Sequence, residues 1–327
     1  MVEPRPIDNP KFAQGELGAA RRYLDEHGWV VIRGVFAREE IAELRERVLI
    51  SRRDGMRGDL LSNPLLSPVM TDPRIGRIVK ALLPAEPVYF GDSGWNTATT
   101  DRIQMGFHKD NPDKEHANAP DWRSPYTIFT MGIYLQDSAR YSGGVAVRDR
   151  SQNTLDAWHG RPVAVPAEVG DFVVWNYRTS HTGYASRLHV FPNAFVPINV
   201  QSRLTVSQPR SDVPLFRPRG VFRPAESAER MALFMAFGID DAHVHRNIRY
   251  LKTRRYWVER LKHSTYADEA RTRLAEQGIG LIDVADQVRT VDLASVPEAH
   301  FELPFDDDAA PPPGVTDRGR AITTTAP

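Results

Sequence analysis

The chain has 327 residues, 41% hydrophobic and 26% charged, which is enough for one large core or two modest ones. Lys plus Arg and Asp plus Glu both number 42, so the net charge is zero and no global basic field exists to hold nucleic acid or an anionic membrane. The absence of cysteine excludes disulfides, thiolate metal sites and Cys nucleophiles, leaving histidine and carboxylates as the available protein metal ligands.

The opening Met1-Val2-Glu3-Pro4-Arg5-Pro6 lacks the charged-then-apolar pattern of a signal peptide. No apolar run approaches the ~20 residues of a membrane span, so a cytoplasmic location is expected. Gly15 to His27 reads as an amphipathic helix stopped by Gly28, and Trp29-Val30-Val31-Ile32 is a β-branched run ending at Gly34. Ala37 to Leu49 predicts a second helix, with Ile41, Leu44 and Val48 on one face and Glu and Arg on the other. Pro64, Pro68, Pro73 and Pro84 surround a further helix from Arg74 to Leu83. Residues 1–86 are therefore expected to form a helical region with one strand, packing on a core that begins near Pro87.

From Val88 to Gly238, short apolar or alternating segments separated by Gly, Pro, Asn and Asp predict an antiparallel sandwich or barrel over 87–238. The clearest strands are Arg102 to His108, Tyr126 to Leu135, Gly144 to Val147, Pro162 to Val165, Asp171 to Asn176 and Arg230 to Phe237. A Pro-rich insertion at 182–229 is too long for a plain connection and is read as a lid over a substrate pocket. Beyond Gly238, Asp240-Asp241 starts a helix with Val244, Ile248 and Leu251 on its stripe, opening a helical extension over 239–302. The Asp-, Ala-, Pro- and Thr-rich tail at 303–327 is expected to be disordered.

The chemistry-bearing motif is His108-Lys109-Asp110, with His181 following Gly170-Asp171-Phe172-Val173-Val174-Trp175. Residues i and i+2 of a strand share a face, so His108 and Asp110 point into a barrel while Lys109 points out. Two imidazoles and one carboxylate are what a mononuclear iron site with open coordination positions requires. A His-x-Asp triplet arises roughly 0.7 times by chance at this composition, so its context has to carry the assignment. His243-Val244-His245 also looks like a metal pair, but i and i+2 on a helix do not face each other, and these read as surface histidines. The Arg- and Tyr-rich stretch from Arg246 to Arg260 reads as a solvated helix face with Tyr250 and Trp257 buried.

Four segments together resemble a known family over roughly residues 20–238. They are His27-Gly28-Trp29-Val30-Val31-Ile32-Arg33-Gly34-Val35-Phe36 before a Glu-rich helix, Phe107-His108-Lys109-Asp110, Tyr141-Ser142-Gly143-Gly144-Val145-Ala146-Val147, and Gly170-Asp171 through His181-Thr182-Gly183. The family is the phytanoyl-CoA dioxygenase-type group of iron(II) and 2-oxoglutarate dependent oxygenases. The resemblance implies a mainly β protein with flanking α-helices, built on a double-stranded β-helix, a jelly-roll core related to the cupins. It implies that His108, Asp110 and His181 hold Fe(II) and leave three positions for the co-substrates 2-oxoglutarate and O2. Related halogenases carry a small residue where Asp110 stands, so hydroxylation or another C–H oxidation is favoured over halogenation.

The far carboxylate of 2-oxoglutarate needs a buried cation, and the fork of an arginine suits it; the family places one about a dozen residues after the distal His, where this chain has Pro192. Arg187, Arg203 and Arg230 are the candidates, with Arg203 two residues before the hydroxyl of Thr205. Arg230 is preferred because its strand is the most apolar, as a central strand should be. Gln104 shares the face of His108, and Thr130 lies with Tyr126, Ile128 and Tyr134 on one face of the following strand; Gln104 and Thr130 join Arg230 as candidate co-substrate contacts. The expected activity is dioxygenase oxidation of a small-molecule metabolite, with natural-product or sugar-like tailoring as its setting and neither nucleic acid nor membrane as a partner. Two alternatives stay open: a metal-dependent cupin-type isomerase or hydrolase, and a non-catalytic jelly-roll binding protein in which the three ligands do not converge.

Overall fold

The computed structural model describes residues 10–98, 107–136, 144–183, 187–188, 222–223 and 230–296. Gln104, Arg203 and the tail at 303–327 lie outside the described residues, and of the insertion at 182–229 only 182–183, 187–188 and 222–223 lie within them.

In chain order the strands are β1 (Lys11–Phe12), β2 (Trp29–Ile32), β3 (Pro87–Ala98), β4 (Phe129–Tyr134), β5 (Val145–Arg148), β6 (Pro162–Ala164), β7 (Phe172–Asn176), β8 (His181–Gly183), β9 (Arg187–Leu188), β10 (Phe222–Arg223), β11 (Arg230–Ile239) and β12 (Gly280–Leu281). A large sheet runs in the order β1-β2-β7-β4-β11-β3-β12, a small one in the order β6-β5-β8, and β9 pairs with β10. His108 adds to the free edge of β8 through an antiparallel bridge to His181. The antiparallel pairs β3–β11, His108–β8, β4–β7 and β5–β6 nest one inside the next along the chain. That nesting is the winding of a jelly roll, with its outer and inner pairs shared between two sheets.

Local chemistry explains how the chain enters the large sheet. Gly28 ends the helix Leu17–His27 with φ at +81° and donates its amide to the Leu24 carbonyl at 2.8 Å. A Cβ at Gly28 would stand 2.5 Å from Gln152 Oε1, so the αL turn and the close approach both call for glycine. The chain then passes straight into β2, which pairs with β7 through Trp29↔Trp175 to Ile32↔Phe172. Gly170, at φ +93°, accepts from the amides of Val35 and Phe36, and a Cβ there would lie 2.1 Å from the Phe36 carbonyl oxygen. This contact pins the start of β7 to the end of β2.

Strand alternation divides the large sheet into two faces. Met131, Ile133, Val174 and Leu233 share a core with Ile41 and Val48 of the helix Arg38–Arg53 and with Ile75 and Val79 of the helix Pro73–Leu82. Asp72 caps the latter helix by accepting from the Arg74 amide, and Pro73 fills its first position. A second core joins Phe90, Ile128, Tyr177 and Ala236 to Val244, Trp257 and Leu261 of the helices Ala242–Leu251 and Arg255–Lys262. Asp241 caps the first of these, accepting from the amides of His243 and Val244.

One buried carboxylate ties three segments together. Asp59 is fully buried; its Oδ2 accepts from Tyr89 at 2.5 Å and Tyr266 at 2.8 Å, and its Oδ1 accepts from the Ser62 amide at 2.9 Å. Burial raises its pKa, against the pull of the hydrogen bonds from Tyr89, Ser62 and Tyr266. A carboxyl that binds its proton more tightly folded than unfolded contributes its full stability below the unfolded pKa and loses it as pH rises through the folded pKa. The melting temperature of wild type relative to Asp59→Asn is therefore expected to fall as pH rises from about 4 to 7. A difference that stays constant across that window would contradict this assignment.

Candidate metal centre

The small sheet brings the two histidines together. The amide of His108 donates to the His181 carbonyl at 3.1 Å and the amide of His181 to the His108 carbonyl at 2.9 Å, a closed pair that sets the side chains next to each other. Their rings lie 4.5 Å apart, centroid to centroid. Asp110 sits one alternation further on, its amide bonded to the Tyr177 carbonyl at 3.0 Å. One ligand atom from each of His108, Asp110 and His181 lies within 4.8 Å of the other two. His181 Nε2 is 3.3 Å from Asp110 Oδ2, and His108 Nε2 is 3.8 Å from Asp110 Oδ1.

The surrounding groups prepare these atoms. The Thr179 carbonyl, 3.1 Å from His181 Nδ1, can only accept, so it places a proton on Nδ1 and turns Nε2 toward Asp110. Burial opposes ionisation of Asp110, yet the charges of His181 and His108, with Lys114 and Arg254 beyond them, outweigh it and hold its carboxyl below the usual range. The result is an anion beside two imidazole nitrogens, partly open on one side, since the side chains of His108 and Asp110 keep 33% and 31% exposure. This donor set fits a divalent metal bound on one face with positions left for other ligands. Among the described residues it is the single His and carboxylate group with that geometry.

Lys109 departs from the sequence expectation. It turns away from the triad as alternation requires, but it is only 2% exposed, and its ammonium donates to the carbonyls of Ser151 and Arg178. Burial, and then the Arg178 charge, push its pKa well below the usual lysine range. The outer face of this strand is thus roofed by the 148–153 turn, and the middle residue of the motif anchors it.

Of the other expected site residues, Thr130 is buried on β4 opposite Trp175, and its Oγ1 has no hydrogen-bond partner among the described residues. The Trp175 ring lies 5.3 Å from His181 and 6.0 Å from Phe234, so Thr130, Trp175 and Phe234 mark the sheet face that looks toward the triad. Arg230 begins β11, paired with Ala98, while its side chain lies outside the described residues, as does that of Arg187 in β9.

Sequence reading missed a second buried polar cluster directly after the motif. Asp113 receives a two-pronged ion pair from Arg246, at 2.7 Å from Nε and 2.6 Å from Nη2. Asp113 also accepts from the Asp121 amide, and Asp121 accepts from Asn111 and from the Asp113 amide. His243 is 6% exposed rather than a surface histidine; it meets Ser124 Oγ at 2.7 Å and packs on Tyr126. Arg246 is likewise buried at 6%, whereas Tyr250 and Trp257 are buried as expected. No local pattern joins the Asp, Asn and Pro residues of 110–121 to a helix 133 residues on.

No family model matches the chain, and no curated protein matches it. Among solved structures it is similar to the non-heme alpha ketoglutarate dependent carbocyclase SnoK from nogalamycin biosynthesis, at 17% identity over 70% of this chain and 90% of that one, with a TM-score of 0.44. AviO1 from Streptomyces viridochromogenes Tue57 is similar at 16% identity over 73% and 98%, with a TM-score of 0.47. EctD from S. alaskensis, solved with 2-oxoglutarate and 5-hydroxyectoine, is similar at 14% identity over 72% and 79%, with a TM-score of 0.44. These likenesses are distant in sequence and in structure alike.

Proposed function

We propose that this chain is a non-heme iron(II) and 2-oxoglutarate dependent oxygenase that oxidises a carbon of a small-molecule metabolite. The observation that carries this reading is the convergence of His108, Asp110 and His181 between the sheets of a jelly roll, with Nδ1 of His181 held by the Thr179 carbonyl and Nε2 turned toward Asp110. Iron with 2-oxoglutarate and dioxygen supplies the oxidising power, releasing succinate and carbon dioxide. The chain's part is to hold the metal on three ligands, keep Asp110 ionised and wall the site with Trp175 and Phe234. Thr130 offers a buried hydroxyl with unmet hydrogen-bonding capacity toward the co-substrate. Arg230 is the proposed partner of its far carboxylate, because position 230 shares its alternation on β11 with Phe234, on the face that looks toward the triad.

Anaerobic titration with Fe(II) and 2-oxoglutarate tests the reading. Chelation of the ferrous ion should give a weak visible charge-transfer band, and its absence in wild type counts against an oxygenase. Arg230→Ala is expected to raise the 2-oxoglutarate concentration needed for the band by about 100-fold with iron retained, the scale of losing one charged hydrogen-bonded partner. If Arg203→Ala has that effect and Arg230→Ala has none, the co-substrate assignment moves to Arg203.

A further inference from the structure

The rim of the barrel beside β3 holds a cavity of about 250 Å³, just under the ~300–1,000 Å³ typical of sites for drug-sized ligands. It lies between the turn around Arg57, β3 at Gly94 and Trp95, and the helix Arg255–Lys262, which contributes Tyr256, Glu259 and Arg260. β12 covers β3 only at Val88 and Tyr89, so along this stretch the cavity meets a strand edge that β12 leaves open.

A relay of contacts connects the cavity with the metal side. Gly94 pairs with Phe234, on the face that carries Trp175 beside His181. With no side chain at Gly94, Arg260 Nη1 comes within 2.6 Å of where a Cβ would stand. Arg260 Nη2 then lies 3.3 Å from Asp92, which also accepts from the Tyr177 hydroxyl, and the Tyr177 carbonyl holds the Asp110 amide. Tyr256 is on the open side, 53% exposed, with the Arg254 guanidinium 4.9 Å from its ring centroid.

Each guanidinium of the cavity has a carboxylate nearby, while Arg260 Nε is buried without a hydrogen-bond partner among the described residues and His263 completes the lining. Arg57 faces Glu259 at 3.9 Å, and Arg260 faces Asp92. An ionic ligand would gain little from such a site, because each guanidinium already has its carboxylate. A phosphate-bearing ligand in particular would want unpaired cations. A purely aliphatic ligand would strip water from both pairs and return no hydrogen bonds. Hydroxyl groups both donate and accept, so they can serve guanidinium and carboxylate together. The C–H faces of a saturated ring can lie against the aromatic faces of Trp95 and Tyr256. The volume admits one such ring.

Resting on the oxygenase reading above, we propose that this cavity is the subsite for an uncharged, hydroxyl-bearing ring of the substrate, of the pyranoside type, with Tyr256 as its stacking platform. The helical extension then has a role in substrate selection, since Tyr256, Glu259 and Arg260 all come from one of its helices.

Saturation-transfer NMR on the full-length chain, without metal, tests this with the methyl glycosides of glucose, galactose, mannose and rhamnose, and with glucuronic acid and glucosamine as charged controls. At least one neutral glycoside should receive saturation, most strongly on its ring C–H protons. The signal should drop about fivefold in Tyr256→Ala and persist in Tyr256→Phe, which keeps the ring. The proposal is overturned if no neutral glycoside responds, if a charged sugar exceeds all the neutral ones, or if Tyr256→Ala leaves the signal unchanged. The ferrous 2-oxoglutarate band, recorded on the same preparations, separates the two readings. A normal band without sugar binding removes the subsite alone, and sugar binding without a band removes the oxygenase alone.

Discussion

Asp110→Ala is expected to lower ferrous-iron affinity by at least about 100-fold, or about 2.7 kcal/mol, and to abolish 2-oxoglutarate turnover at micromolar iron. Asp110 is the only carboxylate among the three proposed ligands; without it two imidazoles alone would face a divalent cation. Replacing a group that merely orients a ligand typically costs 10–100-fold in metal affinity, so removing the charged ligand itself should cost no less. The fold should survive, because the Asp110 contact that closes the loop is its backbone amide to the Tyr177 carbonyl, which alanine keeps. Metal content after anaerobic dialysis against iron, with a melting curve as control, reads the effect. One iron per chain in Asp110→Ala at wild-type affinity would remove this residue from the site, and the same result in His181→Ala would remove the site altogether.

The second large effect is on stability. Arg246→Ala is expected to cost about 3–5 kcal/mol in chemical denaturation, because it strands the Asp113 carboxylate in the interior. Both side chains of this pair are nearly sealed, at 7% and 3% exposure, and the guanidinium makes two bonds to it. Burial and the charge of the neighbouring Asp121 raise the Asp113 pKa, and Arg246 is the main group that opposes them, with the Asp121 amide adding to it. Combining Arg246→Met with Asp113→Asn should recover more than half of the loss, since neutralising the acid removes the uncompensated charge. A single-variant cost below about 1 kcal/mol would show that the pair is solvated in solution. The loop that begins at Asp110 is held by this pair, so iron affinity should fall together with stability in Arg246→Ala and return in the double variant.

Much of the architecture could be read from local pattern. The apolar stripes of Ile41, Leu44 and Val48 and of Val244, Ile248 and Leu251 lie on the helices Arg38–Arg53 and Ala242–Leu251, and all six residues are buried. Gly28 stops its helix as expected, and the alternating or apolar runs around 129–134, 145–148, 172–176 and 230–239 are strands. In the long strand β3, Gly91, Asp92, Ser93, Gly94 and Asn96 break the apolar alternation that marks those segments. The register shift in its pairing with β11 falls beside Gly91, which is at φ +81°, and Gly94 lines the cavity at its edge.

By itself the sequence determined which side chains share a face. The period of two along a strand placed His108 and Asp110 together and Lys109 opposite them, whatever the rest of the chain did. What covers a face is a long-range matter that local period does not encode. Only the tertiary structure put His181 across from His108, since that register depends on strands 73 residues apart closing one ladder. The same holds for Lys109, which points away from the triad as alternation demands but meets the carbonyls of Ser151 and Arg178 instead of water. It holds again for His243 and Arg246, which look like the polar face of an exposed helix until the loop after Asp110 folds over them. Burial of a charged side chain is decided by whether distant chain brings it a partner, and here the partners lie between 42 and 133 residues away.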